Sequence, residues 1–343
     1  MKIAVRSYGS DRDHLDGFGG LELRYTVNYA HFLLSEGHQV HFFDDTHGCD
    51  SSFDLALDAP NHNCHLIKAK YHTHNWFSPS TTCVAKNPGI HETQCYQSGQ
   101  MIISDPYRYG YDNTMKMKVE HNFKHILFLP LAYPDDLIPS NLAPGFERKV
   151  ILWGNKGNFN PEFGPERDMH YITNGIETLK ALVRLNKKAD FQTVFVLDNY
   201  IRDTRLEWKD EIEDLIRQLK NVDRLDQVPW SHYVNIMSQT KINTHVGGLT
   251  SGINECLLTQ SVPATPEKFI FFQDVAKELN IMPSAEVATV DEIYDAYEHL
   301  WFDEQYYLHV RDAFQDAFVD HRTEGLRRHW QAAMEELEDG ALQ

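Results

Sequence analysis

Glu255 follows a run of small and hydroxyl-bearing residues, 247–252, at the junction between a predicted strand and a predicted helix. Backbone N–H groups in the first turn of a helix have no partner inside it, so those of Ser251, Gly252 and Ile253 could hold a phosphate. From one turn inside the helix, the Glu255 carboxylate could accept hydrogen bonds from a ribose diol. The pattern indicates a nucleotide site; the alternative is a helix cap beside an exposed glutamate.

A second glycine-rich segment, 17–22, separates the first predicted strand from the first predicted helix. Gly19 and Gly20 would let the backbone come close to a phosphate at the start of that helix. A dinucleotide-binding fingerprint requires a further glycine where Glu22 stands, although Asp44 ends the second strand, where a ribose-binding acid would lie. An NAD-dependent oxidoreductase is therefore an alternative, and a turn that serves packing alone is another.

Histidines and basic residues follow two other predicted strands. His72 and His74 lie at the end of strand 65–72, and the carboxyl ends of parallel strands face the ligand crevice in open α/β sheets. A histidine there could donate a hydrogen bond or move a proton near neutral pH. Lys156 follows strand 149–153 and, with Arg167 as a second cation, could neutralise a departing diphosphate. The alternatives are incidental histidines, in a chain that has 19 of them, and a solvated turn lysine.

The elements that must position these groups alternate between strand and helix, which predicts an α/β fold with parallel sheets. Predicted strands in the first half are 2–8, 38–43, 53–58, 65–72, 100–104 and 125–130, with a helix at 21–36. A proline-rich linker covers 130–145. The second half has predicted strands 149–153, 191–197, 240–246 and 268–272, helices 174–186, 207–220 and 252–260, and an amphipathic helical stretch at 290–338. We predict domains 1–145 and 146–300 and a helical tail 301–343.

Length, charge and composition limit the class of protein. The 343 residues suffice for two domains, and the net charge of −18 would on average repel nucleic acid, although a local basic groove would suffice for DNA. No run of about 18 apolar residues occurs, and the start MKIAVRSY indicates a strand and not a signal peptide, so we predict a cytoplasmic protein. Four of the five cysteines lie with several histidines within 49–95, without a CxxC pair, which leaves a zinc site there open.

The order of these motifs resembles that of retaining GT-B glycosyltransferases, similar to glycosyltransferase family 4, over nearly the whole chain. The matching segments are Gly19-Gly20-Leu21-Glu22, Gly37-His38-Gln39-Val40, the strand end 70–74, and the segments 129–134, 247–255 and 260–264, followed by the acidic helical tail. The resemblance implies two Rossmann-like domains with parallel sheets facing a cleft. The first would bind the acceptor and the second a nucleotide-sugar, with C-terminal helices crossing back toward the first.

The resemblance also implies an activity and its residues. The chain is expected to be a hexosyl- or pentosyltransferase that moves a sugar from a nucleoside-diphosphate sugar to an acceptor hydroxyl with retention of configuration. Glu255 would hold the ribose, Lys156 or Arg167 would stabilise the leaving charge, and His74, with His72 as substitute, would lie near the donor sugar. No metal or other cofactor is required. The diphosphate would be held by the backbone of Gly19, Gly20, Ser251, Gly252 and Ile253.

Two departures from the family pattern bear on the reaction. Gly247 stands where the family has the first of two glutamates, and Asn155 and Asn174 stand where it has an arginine and a lysine. The identity of the sugar is therefore open, and a catalytically degenerate nucleotide-sugar-binding protein is an alternative. The acceptor is also open among a glycan, a small molecule and, as a variant, a modified DNA base.

Overall fold

The computed structural model describes residues 1–6, 21–43, 49–57, 67–74, 101–104, 125–130, 132–153, 165–196, 206–226, 228–244, 252–264, 275, 279 and 289–340. The chain forms two compact units. Unit 1 consists of Met1–Leu137 and Val319–Gln343, and unit 2 consists of Ile138–Phe318. The first change of unit therefore lies eight residues before the predicted domain boundary at 145. The predicted strand 268–272 and the loop with Gly19 and Gly20 lie outside the described residues.

Unit 1 contains a parallel six-stranded sheet in the order β2-β1-β3-β4-β5-β6. Its elements before residue 137 are β1 (Lys2–Arg6), α1 (Leu21–Ser35), β2 (Gln39–Phe43), β3 (Cys49–Leu57), β4 (Ile67–His74), β5 (Met101–Ser104) and β6 (His125–Phe128). Side chains alternate between the faces of a strand, so Ile3 and Val5 pack with Tyr29 and Phe32 of α1, whereas Ala4 packs in a separate cluster with Phe53. Residues on both faces of β1 are therefore buried.

Unit 2 contains a parallel five-stranded sheet in the order β11-β10-β7-β8-β9. Its elements are β7 (Val150–Trp153), α2 (Pro165–Asn186), β8 (Gln192–Val196), α3 (Leu206–Gln218), β9 (Asn221–Leu225), α4 (Trp230–Gln239), β10 (Thr240–Thr244), α5 (Gly252–Leu258), β11 (Val262–Ala264), α6 (Val290–Phe302) and α7 (Glu304–Ala317). The chain runs outward from β7 to β8 and β9 and then returns to β10 on the opposite side of β7. The two described sheets confirm the predicted α/β class with parallel strands.

A last helix, α8 (Thr323–Gly340), belongs to unit 1 and completes its core. Leu326, Trp330, Ala333 and Leu337 recur at helical spacing and pack with the β1 and α1 side chains. The Arg327 guanidinium donates to both carboxylate oxygens of Glu36, at 2.9 and 2.8 Å. The predicted tail 301–343 is thus divided between the units, since α7 is part of unit 2 and α8 is part of unit 1.

Two buried basic residues hold the amino end of β10 within unit 2. The Arg148 guanidinium donates to the carbonyl oxygens of Thr240 and Thr259, at 3.1 and 2.8 Å, and to that of Ala143. Lys241 Nζ donates to the Trp301 carbonyl oxygen at 2.8 Å. These bonds fasten the segment before β7 and the end of α6 to the same strand end within unit 2. No helix within the described residues is long and apolar enough to cross a membrane.

Candidate functional site

The strand β10 is unusual because its buried positions are polar. Its sequence is TKINT, all five residues are buried, and only Ile242 is apolar. Strands buried on both faces of a parallel sheet usually consist of valine, isoleucine and leucine, as in the neighbouring β7, VILW. Burying a polar group is unfavourable unless it is hydrogen-bonded, so the polar side chains of β10 must have specific partners.

The carboxyl end of β10 lies at the point where the strand order of unit 2 reverses. Thr244, the last residue of β10, is paired in register with Trp153, the last residue of β7. Ligands of open α/β sheets bind in the crevice outside the carboxyl ends of the strands at such a reversal. Segments 154–164 and 245–251 begin at these two strand ends. They include Lys156 and Ser251 and lie outside the described residues.

Glu255 lies on α5, the helix that follows β10, and only 3% of the residue surface is exposed. The interpretation of an exposed glutamate beside a helix cap is therefore wrong. Gly252 is the first residue of α5 and Ile253 is the second, as expected for a helix that starts after the small-residue segment. Glu255 makes its interactions from a buried position.

The residue after Glu255 connects this carboxylate to β10. Cys256 is fully buried, and burial raises the pKa of its thiol, with a further contribution from the charge of Glu255. A hydrogen bond with the Asn243 side chain acts in the opposite direction on that pKa. The Cys256 thiol also approaches the Ser261 carbonyl oxygen at 3.9 Å. Asn243 on β10 and Cys256 on α5 therefore form one buried contact beside Glu255.

Thr244 has its own buried partner on α6. The hydroxyls of Thr244 and Tyr297 are 2.7 Å apart, and burial raises the pKa of Tyr297, so the phenol stays neutral at ordinary pH. The sequence reasoning missed Asn243, Thr244 and Tyr297. The polar composition of the strand TKINT could have indicated the first two, but nothing in the sequence links Tyr297 to them.

The other residues that the sequence analysis singled out lie on elements other than β10 and α5. His72 and His74 belong to β4 of unit 1, where His74 is the last residue of the strand, and its backbone is in register with Ile102 of β5. Arg167 lies in the first turn of α2 in unit 2. Asn174, at the position of the family lysine, is buried on α2. Within the described residues no cluster of His, Cys, Asp or Glu could hold a metal ion, and Cys64, Cys83 and Cys95 of the zinc alternative lie outside them.

No protein-family model and no curated protein match the chain by sequence, but solved structures do. The fold is GT-B. A glycosyltransferase from Rickettsia africae is 12% identical, with 98% of this chain and 97% of that chain covered and a TM-score of 0.58. An α-glucosyltransferase in complex with UDP and a 13-mer DNA containing an HMU base is 11% identical, with 100% of both chains covered and a TM-score of 0.58. A structure named as a UDP-N-acetylglucosamine 2-epimerase, from Listeria monocytogenes, is 9% identical over 93% of this chain and 94% of that chain, with a TM-score of 0.55.

The similarity covers 94–100% of each of these proteins, but at such low identity it shows the fold alone. The names of the three proteins include transferases and an epimerase, so function has to be argued from the residues at the end of β10.

Proposed function

We propose that this protein is a glycosyltransferase that binds a nucleoside-diphosphate sugar at the carboxyl ends of β7 and β10. The observation that carries the proposal is the buried carboxylate of Glu255, on the helix that follows the polar strand β10 at the reversal of strand order. Two of the three similar solved structures described above are glycosyltransferases, and one of them contains UDP. We further propose membership of the retaining enzymes similar to family 4.

The chemistry of a carboxylate at this place favours a ribose. An ionised carboxylate only accepts hydrogen bonds, and it has room for several of them. A ribose diol supplies two adjacent donors, and each bond to a charged acceptor contributes about 1.5–3 kcal/mol. An uncharged hydrogen-bonding group would lose most of this, so we expect the charge of Glu255 to matter for nucleotide affinity.

The groups that would act on the diphosphate and the sugar stay predictions. Backbone N–H groups of Ser251, Gly252 and Ile253 are proposed to contact the diphosphate, together with the backbone of Gly19 and Gly20. Lys156, with Arg167, is proposed to stabilise the negative charge that develops on the leaving group, which is electrostatic catalysis without a metal. His74, or His72 in its place, is proposed to contact the sugar. Transfer is proposed to proceed from the same face, with retention of configuration.

The donor and the acceptor define the first substrates to test. UDP-sugars come first because the DNA-bound α-glucosyltransferase also contains UDP. The proposed acceptor is a hydroxyl of a glycan or a small molecule, and a hydroxyl-bearing DNA base is its variant. The net charge of −18 disfavours DNA as an acceptor, because the average field of the protein repels phosphates. We also propose a cytoplasmic location.

The first experiment measures thermal unfolding with UDP, GDP, ADP, CMP and NAD, each in excess. A ligand at about 100 times its dissociation constant stabilises the native state by about 2.7 kcal/mol, which raises the melting temperature by several degrees. We expect the affinity of Glu255→Gln for a nucleoside diphosphate to fall at least about tenfold, which lowers the stabilisation to about 1.4 kcal/mol or less and the shift to about half or less of the wild-type shift. The matched control is Glu213→Gln, which removes a carboxylate that accepts from Arg224 at 2.7 and 2.9 Å in the same unit. Glu213 contacts Arg224 of β9, at the opposite edge of the sheet from β11.

Different results separate the alternatives. A shift with NAD alone would refute the nucleotide-sugar site and favour the oxidoreductase, which an absorbance change of the nicotinamide would then test. Equal shifts in wild type and Glu255→Gln would remove Glu255 from the site. Release of UDP from a UDP-sugar that requires an acceptor would establish transfer, whereas binding without turnover would indicate a degenerate protein. A changed sugar without an acceptor would indicate an epimerase.

A further inference from the structure

The helix α5, which carries Glu255, is too short to be stable by itself. It has seven residues, Gly252–Leu258, and isolated helices shorter than about 12–15 residues are marginal in water. The helix must therefore be held by contacts with the rest of unit 2. Because Glu255 lies in the middle of α5, the contacts that hold the helix also set the position of the carboxylate.

The carboxyl end of α5 is a tight turn with a strained residue. The Gln260 N–H donates to the Leu257 carbonyl oxygen at 3.1 Å, and the Ser261 N–H donates to that of Cys256 at 3.0 Å. This is the Schellman pattern of helix ends, in which the left-handed residue is usually glycine. Here that residue is Gln260, with a φ of 60°. Its Cβ lies close to the following carbonyl oxygen, so the surrounding structure must hold this end of the helix in place.

One contact reaches this end of α5 from the helix α7. Gln315 Nε2 donates to the Leu257 carbonyl oxygen at 2.7 Å. Leu257 is buried, and its carbonyl is one of those at the end of a helix that have no partner inside it. A carbonyl oxygen has two lone pairs, so it can accept from Gln315 and from the Gln260 N–H together. The Gln315 side chain therefore completes the cap of α5.

Two other side chains at this end act on the chain that follows α5. The Arg148 guanidinium donates to the Thr259 carbonyl oxygen at 2.8 Å, and the Ser261 hydroxyl donates to that of Thr240 at 2.9 Å. Both bonds fix the turn after the helix. Gln315 differs from them because it bonds a carbonyl of α5 itself, two residues from Glu255.

We infer that Gln315 is a positioning residue of the proposed nucleotide site, whose amide holds α5 so that the Glu255 carboxylate meets the ribose diol. This inference rests on the proposed function. Gln315 acts through the Leu257 carbonyl and is not assigned a contact with the nucleotide. Because Glu255 is the group proposed to contact the ribose, loss of the Gln315 bond should weaken recognition of the ribose hydroxyls in particular.

The experiment compares Gln315→Met with Gln218→Met in the full chain. Methionine has a length similar to that of glutamine and carries no N–H donor. Gln218 is the matched control, because its Nε2 also donates to a helix carbonyl of unit 2, that of Asp214 on α3, at 3.1 Å. Isothermal titration calorimetry gives the dissociation constants for UDP and 2′-deoxy-UDP at a temperature at which every variant is folded. The corresponding pair for GDP or ADP is used if the wild type prefers it.

We expect Gln315→Met to raise the dissociation constant for UDP about fivefold, the factor that corresponds to one net hydrogen bond. The constant for 2′-deoxy-UDP should rise less, so the preference for the ribose should fall. Gln218→Met should leave both constants within about twofold of wild type. In Glu255→Gln, the further change Gln315→Met should have little effect, because both residues act on the same contact. Gln315→Lys should restore part of the affinity, since an ammonium group can donate to the last carbonyls of a helix.

Several results would overturn the inference. Unchanged UDP binding in Gln315→Met would show that the amide does not position the site. Equal weakening for UDP and 2′-deoxy-UDP, or in both methionine variants, would indicate a general loss of stability. Additive losses with Glu255→Gln would show that Gln315 acts independently of Glu255. If the wild type itself binds no nucleoside diphosphate, the proposed function fails first and the inference fails with it. Gln315→Glu, which keeps the shape but loses the donor, is used if Gln315→Met does not fold, and the same results apply to it.

Discussion

Lys241 provides a direct test of how unit 2 is held together, because its ammonium group is almost fully buried. The residue is 1% exposed, its Nζ donates to the Trp301 carbonyl oxygen at 2.8 Å, and it lies 3.6 Å from the ring centroid of Phe146. Burial lowers the pKa of Lys241 from 10.5 to about 7; the charge of Lys149 acts in the same direction and that of Glu304 opposes it. The folded protein therefore favours the neutral amine.

The lowered pKa fixes the sign of a dependence of stability on pH. In the unfolded chain Lys241 keeps its proton up to its ordinary pKa of 10.5, whereas in the folded protein it releases the proton near pH 7. Between these values the unfolded state binds more protons, so the free energy of unfolding rises with pH. Because Lys241 titrates near pH 7 in the folded protein only, the free energy of unfolding should rise by about 2 kcal/mol from pH 7 to pH 9. The aromatic rings around the Lys241 side chain favour its charged form, so about 2 kcal/mol is the upper end of the expected rise in the free energy of unfolding.

The assay is chemical denaturation of wild type and Lys241→Met at pH 6, 7, 8 and 9. Methionine has a similar length and does not titrate, so the difference between the two proteins isolates the lysine from all other groups. We expect the free energy of unfolding of wild type, relative to the variant, to rise by about 1–2 kcal/mol between pH 7 and pH 9. A difference that stays constant with pH would refute the reasoning. Lys149→Met should move the midpoint of the rise to higher pH, because the Lys149 charge lowers the pKa of Lys241.

Two further predictions concern packing and are measured by the free energy of unfolding. Gly145→Ala should destabilise the protein by about 1–3 kcal/mol, since the new Cβ would lie 2.6 Å from the Tyr307 hydroxyl oxygen. The Cβ of Gly37→Ala would meet nothing within 4 Å, so that variant should cost about 1 kcal/mol through its φ of 80° alone. A loss below about 1 kcal/mol in Gly145→Ala would contradict the assigned contact. Trp330→Ala should destabilise unit 1 by about 3–5 kcal/mol because the ring is part of its core, and a loss below about 1 kcal/mol would show that α8 is not needed there.

Most strands could be predicted from the sequence, whereas a polar edge strand and a very short strand could not. The predicted strands 2–8 and 149–153 correspond to β1 and β7, whose residues are mostly apolar and buried. The edge strand β9, NVDRL, was missed because an edge strand does not require an apolar pattern. Its Asp223 carboxylate accepts a hydrogen bond from the Gln192 side-chain amide of β8. β11 was missed because it has only three residues, one of which is a proline.

The residues of the candidate site also differ in whether the sequence gives a local signal for them. Glu255 could be found because a glutamate at fixed distance from a small-residue segment is a local signal. Tyr297 could not be found, since 53 residues separate it from Thr244 and the contact exists only in the folded unit. The assignment of α7 to unit 2 also depends on distant contacts, because Tyr307 reaches Lys241 across 66 residues. Sequence patterns predict elements, whereas pairs of buried polar groups come from tertiary structure.

The two ends of β10 show why buried polar residues in a strand do not by themselves indicate a ligand. At the amino end, the Thr240 carbonyl accepts a hydrogen bond from Arg148, and Lys241 Nζ donates one to the Trp301 carbonyl. Both bonds lie within unit 2, so the expected consequence of removing either bond is lower stability. At the carboxyl end, Thr244 leads into the segment at the reversal of strand order, where open α/β sheets bind ligands. Variants of Lys241 should therefore change stability and its pH dependence without changing nucleotide affinity. Variants of Glu255 should instead change nucleotide affinity by more than their loss of stability explains.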